Sequence, residues 1–158
     1  HSGCRAVCNH PRNIGDDLLR ALAANGGVIQ INALPVAVVN MREDGRTAAI
    51  GAMLLQTQDK VLTPEVKAAL GAEWDRIEKI YRPPLVLLDD YLRHIEHAVK
   101  VAGIEHVGIG CDFDGGGGFL GLNSVVDYPA ITAALLARGW SESALAKLWG
   151  GNTFRLLS

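Results

Sequence analysis

The sequence predicts an α/β protein built on parallel strands. Segments whose apolar residues recur at helical spacing alternate with short apolar runs rich in β-branched residues, as in parallel α/β folds. The two clearest runs, 28–34 and 106–111, are apolar enough for strands that are buried on both faces. Hydrophobic residues make up 49% of the 158 residues and charged residues 20%, which is typical of a globular domain with a real core.

The first predicted helix follows a polar, turn-like segment. Asn13 is predicted to cap it, and Asp16 and Asp17 fall in its first turn, where the helix dipole favours negative charge. Gly26 and Gly27 end it, because glycine readily adopts the left-handed conformation of a helix C-cap. The first predicted strand therefore follows a helix directly.

The next stretch is predicted to leave the alternating pattern. Residues 40–62 show no strong periodicity, and a second helix then opens at Thr63-Pro64 and ends before Pro83-Pro84. The excursion as a whole is expected to span about 40–84. Its helix is expected to present an apolar face made of Val66, Leu70, Trp74 and Ile77.

A third helix is predicted over about 89–102, with Gly103 as its end. Two histidines on it, His94 and His97, lie three residues apart and lack the His-Glu-x-x-His arrangement of a zinc peptidase helix. We therefore expect both histidines on a solvated helix face.

The C-terminal third begins with the second strand, 106–111, and a loop of four glycines, 115–118. Two helices are predicted after it, near 128–138 and 142–149, the second capped by Ser141. Two strands do not form a stable parallel sheet alone. Further strands are therefore expected from chain outside this sequence or from another subunit.

Composition excludes several classes of function. Lys and Arg number 15 against 17 Asp and Glu, a net charge of −2, which gives no basic surface for a nucleic acid. No run approaches the roughly 18 apolar residues of a membrane-spanning helix. Three cysteines are too few for a disulfide scaffold, which favours a reduced interior, and the compartment of the parent protein is left open.

Ligands of parallel α/β folds bind where the strands end at their carboxyl edge. Asp112 and Asp114 lie just past that end of the second strand, and Asn32 ends the first strand on the same side. His106 begins the second strand and is expected to serve stability. Asp112 could equally be a turn-forming residue beside the glycine loop.

Other site motifs are weaker. The chain lacks a P-loop, a complete dinucleotide fingerprint and a Gly-x-Ser-x-Gly elbow. His1, Cys4, Cys8 and His10 suggest a structural zinc site, but their spacing is not the usual paired Cys-x-x-Cys.

Four motifs together resemble the membrane dipeptidase (renal dipeptidase) family of metallopeptidases, peptidase family M19. They are His1-Ser2-Gly3, Arg12-Asn13 with the acid pair that follows, the run 106–115, and Trp-Gly-Gly-Asn-Thr-Phe-Arg at 149–155. Their order and spacing match across nearly all of the chain, and the stretch 40–80 matches least. The glycine loop and the excursion are more like bacterial members than animal ones.

This resemblance implies a (β/α)8 TIM barrel of the metal-dependent hydrolase type. Residues 1–158 would be the C-terminal half of a single barrel domain, with the remainder of the barrel upstream. It implies two Zn²⁺ ions per complete active site, with His1 as the one ligand in this chain, and a homodimer.

The same resemblance assigns roles to four further residues. Arg12 aligns with the arginine that binds the carboxylate of the dipeptide, and Asp112 with the aspartate that shuttles a proton. Asp114 and Gly115 would shape the site near the substrate. The implied reaction is zinc-dependent dipeptide hydrolysis, in which a metal-bridging hydroxide attacks the peptide carbonyl, and it would need the N-terminal half of the barrel.

Two alternatives remain open. The chain could belong to a non-catalytic barrel that binds a small molecule on the same face. It could also belong to a hydrolase of N-acyl amino acids or β-lactams, because Ala37 stands where animal members of the family place a pocket tyrosine.

Overall fold

The structure, a computed structural model, describes residues 1–40, 45–81 and 85–158. The chain divides into two compact units, one made of 1–40 with 85–158 and the other of 41–84. Both strands and every predicted site residue belong to the first unit.

The described chain contains helices and two short strands. In chain order they are α1 Asp16–Ala24, β1 Ile29–Ile31, α2 Pro35–Val38, α3 Arg46–Leu55, α4 Pro64–Ile80, α5 Leu88–Ala102, β2 Val107–Ile109, α6 Tyr128–Ala137, α7 Glu142–Ala146 and α8 Asn152–Leu157. Short 3-10 turns flank β2, at Ile104–His106 and Phe113–Gly115, and a π turn, Lys147–Gly151, joins α7 to α8.

The two strands pair in parallel, as predicted, with Ile29 opposite Val107 and Ile31 opposite Ile109. Ser2 lies along the other edge of β1, where its N–H donates to Gln30 O at 3.2 Å and its carbonyl accepts from Asn32 N at 3.2 Å. Three neighbouring chain segments therefore run in the same direction and end at one edge.

One face of this sheet packs against α5. The buried apolar residues of β1 and β2 (Ile29, Ile31 and Val107) belong to the same core as the buried residues of α5, Tyr91, Leu92 and Ile95. Each such side chain contributes about 1.5–3 kcal/mol by leaving water. All three cysteines are free and buried, which agrees with the expectation of no disulfide scaffold.

The beginning of α1 differs from the prediction. Its N-cap is Gly15, and Asn13 is instead a buried residue outside the helix. The Asn13 carboxamide accepts from Gly3 N at 3.0 Å and donates to Cys8 O at 2.9 Å and Ala37 O at 2.8 Å. Asn13 thus bonds three backbone groups, one of them in α2, instead of capping α1.

The smaller unit contains one helix that the sequence did not predict. α3 lies in the stretch without strong periodicity, and its alanines and leucines form a helix without a sharply amphipathic pattern. α4 begins as predicted: Thr63 caps it by accepting from Val66 N at 3.3 Å, and Pro64 is its first residue. It ends at Ile80, and the predicted stop at Pro83-Pro84 lies outside the described residues.

The predicted apolar face of α4 is only partly buried. Ile77 is 1% exposed, whereas Trp74 is 42% exposed. The Arg46 guanidinium lies 5.8 Å from the centre of the Trp74 ring, which is within the range of a cation–π contact.

The C-terminal motif 149–155 binds the end of the chain to the beginning of β2. Asn152, 2% exposed, donates from Nδ2 to Ile104 O at 2.6 Å and to Val107 O at 2.8 Å. Arg155 donates to Gly26 O at 3.1 Å and Glu105 O at 3.0 Å. Upstream, Ser141 caps α7 as predicted, since its Oγ accepts from Ala144 N at 3.2 Å.

The expected solvated histidine face of α5 is wrong for His94, which is 1% exposed. Its ring is enclosed because both nitrogens have backbone partners, Cys4 N and Val38 O. His97 lies nearer the surface, with Nε2 2.7 Å from Asp16 Oδ1.

In the part of the chain that the structure describes, no helix combines the length and apolar character needed to cross a bilayer.

Candidate active site

The second face of the sheet is polar. Gln30 lies opposite Gly108 across the ladder, and because strand residues alternate between faces, Asn32 and Gly110, two residues further along, are expected on the same side. A Cβ on Gly108 would lie 2.6 Å from Gln30 Oε1, and one on Gly110 would lie 3.0 Å from His1 Cδ2. The two glycines therefore leave room for Gln30 and for the His1 ring on this face.

His1 and Asp112 lie next to each other at the carboxyl edge of the strands. His1 Nδ1 is 3.6 Å from Asp112 Oδ2, too long for a good hydrogen bond but close enough for an electrostatic interaction. The His1 side chain is 46% exposed and that of Asp112 is 24% exposed. Both groups are thus accessible to a ligand, while their backbones belong to the sheet edge.

Asp112 has an uncommon backbone conformation. With φ 62° and ψ 42° it is the one non-glycine residue with positive φ within 1–40, 45–81 and 85–158. Such a residue costs about 1 kcal/mol or more, and strain of this kind clusters at functional sites. Two hydrogen bonds offset it here, because the Asp112 carbonyl accepts from Gly115 N at 3.0 Å and Gly117 N at 2.8 Å.

The glycine loop is shaped around Asp112. A Cβ on Gly115 would overlap the Asp112 carboxylate, and one on Gly117 would lie 2.7 Å from the Asp112 carbonyl oxygen. Gly115 therefore makes room for the carboxylate. Asp114 is exposed in the turn Phe113–Gly115 and has no hydrogen-bond or ion-pair partner among the described residues.

Arg12 is connected to this edge through its backbone. Its carbonyl accepts from Ser2 Oγ at 2.8 Å, and its N–H donates to His10 Nδ1 at 3.2 Å. Burial, followed by the positive charge of Arg12, lowers the pKa of His10 and so favours a neutral ring that can accept this bond. The Arg12 residue itself is exposed, and its backbone is held beside the residue that follows His1.

Asn32 adds a feature that the sequence did not indicate. It is 1% exposed, yet neither Oδ1 nor Nδ2 has a hydrogen-bond partner within the described chain. Buried side-chain amides are nearly always hydrogen bonded, so this carboxamide has unused capacity for a donor and an acceptor. It points to the same sheet face as His1.

His1 suits a metal, because imidazole nitrogen is among the commonest zinc ligands. Within the described residues, no group of three or more His, Cys, Asp or Glu side chains could hold a metal ion, so the alternative site of His1, Cys4, Cys8 and His10 is not assembled. Burial, followed by the charge of Asp16, raises the pKa of Cys4 to about 12, which opposes the thiolate that zinc binds. The described residues thus fit one position of a larger metal site.

Comparison with known proteins identifies the family. The model of the membrane dipeptidase family, peptidase family M19, matches residues 1–158. The chain belongs to this family. Dipeptidase verJ of Clonostachys rogersoniana is 31% identical over 160 residues, which covers 99% of this chain and 30% of that protein. The chain spans about 30% or less of the length of the first curated dipeptidases that it matches.

Solved dipeptidase structures have the same architecture. The probable dipeptidase PvdM from Pseudomonas aeruginosa superposes with a TM-score of 0.76 at 27% identity, over 98% of this chain and 42% of PvdM. A Rhodobacter sphaeroides metallo peptidase, liganded with a phosphinate mimic of the dipeptide L-Ala-D-Ala, superposes with a TM-score of 0.69 at 25% identity. The match covers 99% of this chain and 34% of that chain. The predicted fold class is confirmed: this family member is part of a TIM barrel of the metal-dependent hydrolase type.

Proposed function

We propose that the chain contributes the C-terminal half of the active site of a zinc-dependent dipeptidase, with the remainder of the barrel supplied by chain upstream. Family membership and likeness to metallo-dipeptidases support dipeptide hydrolysis and a metal cofactor. The single observation that carries the proposal is the pairing of His1 with Asp112 at the carboxyl edge of parallel strands, beside the backbone of Arg12.

Each residue has a distinct role in the proposed site. His1 would be a zinc ligand through its exposed imidazole. Asp112 would accept the proton of the attacking water and pass it to the leaving amine, which suits a partly exposed carboxylate held in one orientation by its backbone. Zinc, when bound, supplies a Lewis acid that activates water and polarises the peptide carbonyl.

Arg12 would bind the carboxylate of the substrate and so fix the distance from the C-terminus to the scissile bond. Its planar guanidinium binds a carboxylate through two parallel N–H donors. A carboxylate held there would place the scissile bond one residue from the C-terminus of the substrate, as in a dipeptide. Gly115 and Asp114 would line the approach to the Asp112 carboxylate.

The test uses the complete protein loaded with zinc and a dipeptide such as L-Ala-D-Ala. Asp112→Asn should abolish turnover while the zinc content stays at the parent level. Arg12→Ala should raise KM by about 10-fold to 100-fold, because a hydrogen-bonded charge pair contributes about 1.5–3 kcal/mol. Arg20→Ala removes an exposed cation from α1 and is the matched control, with KM unchanged.

Two results would count against the proposal. Parent-like hydrolysis by both Asp112→Asn and Arg12→Ala would remove the assigned roles. Hydrolysis of an N-acyl amino acid or a β-lactam in preference to every dipeptide would replace the proposed substrate class. Zinc analysis and size-exclusion chromatography of the same preparation test the expected two ions per site and the homodimer.

A further inference from the structure

His94 is a buried histidine outside the proposed catalytic set. It lies in α5 and is 1% exposed. Its Nδ1 accepts from Cys4 N at 2.9 Å, and its Nε2 is 2.9 Å from Val38 O. One ring thus joins two distant parts of the chain to α5. Cys4, in the segment after His1, is 90 residues away in sequence, and Val38, at the end of α2, is 56 residues away.

The partners define the protonation state of the ring. A backbone N–H can only donate, so Nδ1 carries no proton, and a carbonyl can only accept, so Nε2 carries one. Burial is the main cause that lowers the pKa of His94, which agrees with a neutral ring. The side chain therefore has one acceptor and one donor, and both are used.

The acceptor atom, His94 Nδ1, holds the segment 1–13, which carries the predicted functional residues His1 and Arg12. Cys4 N–H points to His94, while Gly3 N–H points to Asn13 Oδ1 at 3.0 Å. A Cβ on Gly3 would lie 2.7 Å from Asn13 Oδ1 and 2.9 Å from His94 Nδ1, so both side chains lie directly against the backbone here.

Short backbone links carry this anchoring to both ends of the segment 1–13. On one side, Ser2 follows His1 and pairs with β1. On the other, Ile14 N donates to the Gly3 carbonyl at 3.0 Å, and Ser2 Oγ donates to the Arg12 carbonyl at 2.8 Å. Displacement of Cys4 would therefore move the backbones of both His1 and Arg12.

We propose that His94 is a positioning residue for the active site, acting through Cys4 to hold His1 and Arg12 in place. This inference rests on the proposed function, in which those two residues bind zinc and the substrate carboxylate. His94 itself touches neither. Residues that orient metal ligands from outside the coordination sphere typically change metal affinity or activity by about 10-fold to 100-fold when they are replaced.

Two substitutions separate the two bonds of the ring. In His94→Asn the side-chain oxygen can take the place of Nδ1, so the bond from Cys4 N–H can persist while that to Val38 is lost. In His94→Gln the side-chain nitrogen can take the place of Nε2, so the bond to Val38 can persist while that from Cys4 is lost. Both variants should have a lower Tm, since each loses one buried hydrogen bond.

The two variants should differ at the active site. In the complete zinc-loaded protein, His94→Gln is expected to raise KM for a dipeptide and to weaken zinc binding, measured by chelator competition, by about 10-fold each. His94→Asn is expected to stay within about 3-fold of the parent in both quantities. The pair His97→Asn and His97→Gln, on the same helix, is the control and should show no such difference.

Equal zinc affinity and KM in His94→Asn and His94→Gln would overturn the proposal, since a merely structural histidine predicts no difference. If either variant fails to fold, zinc affinity is measured in Gly3→Ala instead. The Cβ added there would press on His94 Nδ1, and also on Asn13 Oδ1, from the side of the backbone. This variant should reproduce the weaker zinc binding, and parent-like affinity would overturn the proposal. Zinc affinity is measured without turnover, so the inference can fail separately from the proposed function, whose failure is a parent protein that hydrolyses no dipeptide.

Discussion

Asp112 keeps its left-handed backbone because the loop that follows it is made of glycines. Gly115 and Gly117 donate to its carbonyl, and neither has room for a side chain. The sequence placed Asp112 past the end of a strand from strand direction alone. The conformation that aims its carboxylate was not predictable from spacing, because Asp112 could equally have been an ordinary turn residue.

We predict that Gly115→Ala lowers kcat for dipeptides by about 100-fold, because a Cβ there would push the Asp112 carboxylate away, and a displacement near 1 Å is enough for such a loss. Steady-state kinetics on the complete protein measure the effect, with zinc content unchanged. Gly71→Ala in α4 is the control, since a Cβ there meets nothing within 4 Å. Unchanged kcat in Gly115→Ala would show that the carboxylate does not depend on this space.

At the level of elements, α8 and β2 are joined by one side chain. Asn152 binds the carbonyls of Ile104 and Val107, at the entrance to the strand that leads to Asp112. The motif 149–155 suggested the family, and the structure gives the physical reason for its asparagine. A two-fold donor that is buried at this point satisfies carbonyls that the short sheet leaves without partners.

Asn152→Ala should lower the free energy of unfolding by about 2 kcal/mol, since two buried carbonyls lose their donor. Urea unfolding of the complete protein, followed by circular dichroism, measures this change. Asn123→Ala, at an exposed position, should leave the midpoint within error. A midpoint for Asn152→Ala equal to that of the control would mean that water or other groups replace the lost donor.

Helix boundaries show where local signals are sufficient. Ser141 was predicted as a cap and acts as one, and Thr63, where the second helix was predicted to open, also caps its helix; in both cases the partner lies three residues away. Asn13 has the same chemistry, but its partners are Gly3, Cys8 and Ala37. A capping residue cannot be distinguished from a loop-bridging one until the distant backbone groups are in place.

For the whole molecule, the family comparison and the sheet agree. The chain corresponds to 30% of dipeptidase verJ and 42% of PvdM, and its described part has one two-stranded sheet. The polar face with Gln30, Asn32 and His1 lies opposite α5 and would face the interior of the proposed barrel. The unused hydrogen-bonding groups of Asn32 are consistent with a ligand or further chain on that side.

Stability of the whole molecule should depend on the neutral state of His94. Its pKa is lowered from 6.5 in the folded protein, by burial first and with the charges of His97 and Asp90 acting in opposite directions. The unfolded chain therefore binds a proton as pH falls below 6.5, while the folded chain does so only at lower pH. Folding stability should decline below pH 6.5 and show no contribution from His94 above it.

Urea unfolding at pH 7.5, 6.5 and 5.5 tests this dependence in the parent and in His94→Asn. The parent should lose more stability than the variant between pH 6.5 and 5.5. The comparison isolates His94, since His10 also has a lowered pKa and is present in both proteins. Identical slopes in the two proteins would contradict the prediction.

The sequence by itself determined the parallel α/β class, the main helices and the position of Asp112 beyond a strand end, because these depend on periodicity and chain direction. Only the tertiary structure decided that His94 is buried against Cys4, that Asn13 joins its own segment to α2, and that His1 lies beside Asp112. The physical reason is distance along the chain. His94 and Cys4 are 90 residues apart, and no local spacing records a hydrogen bond between residues that only folding brings together.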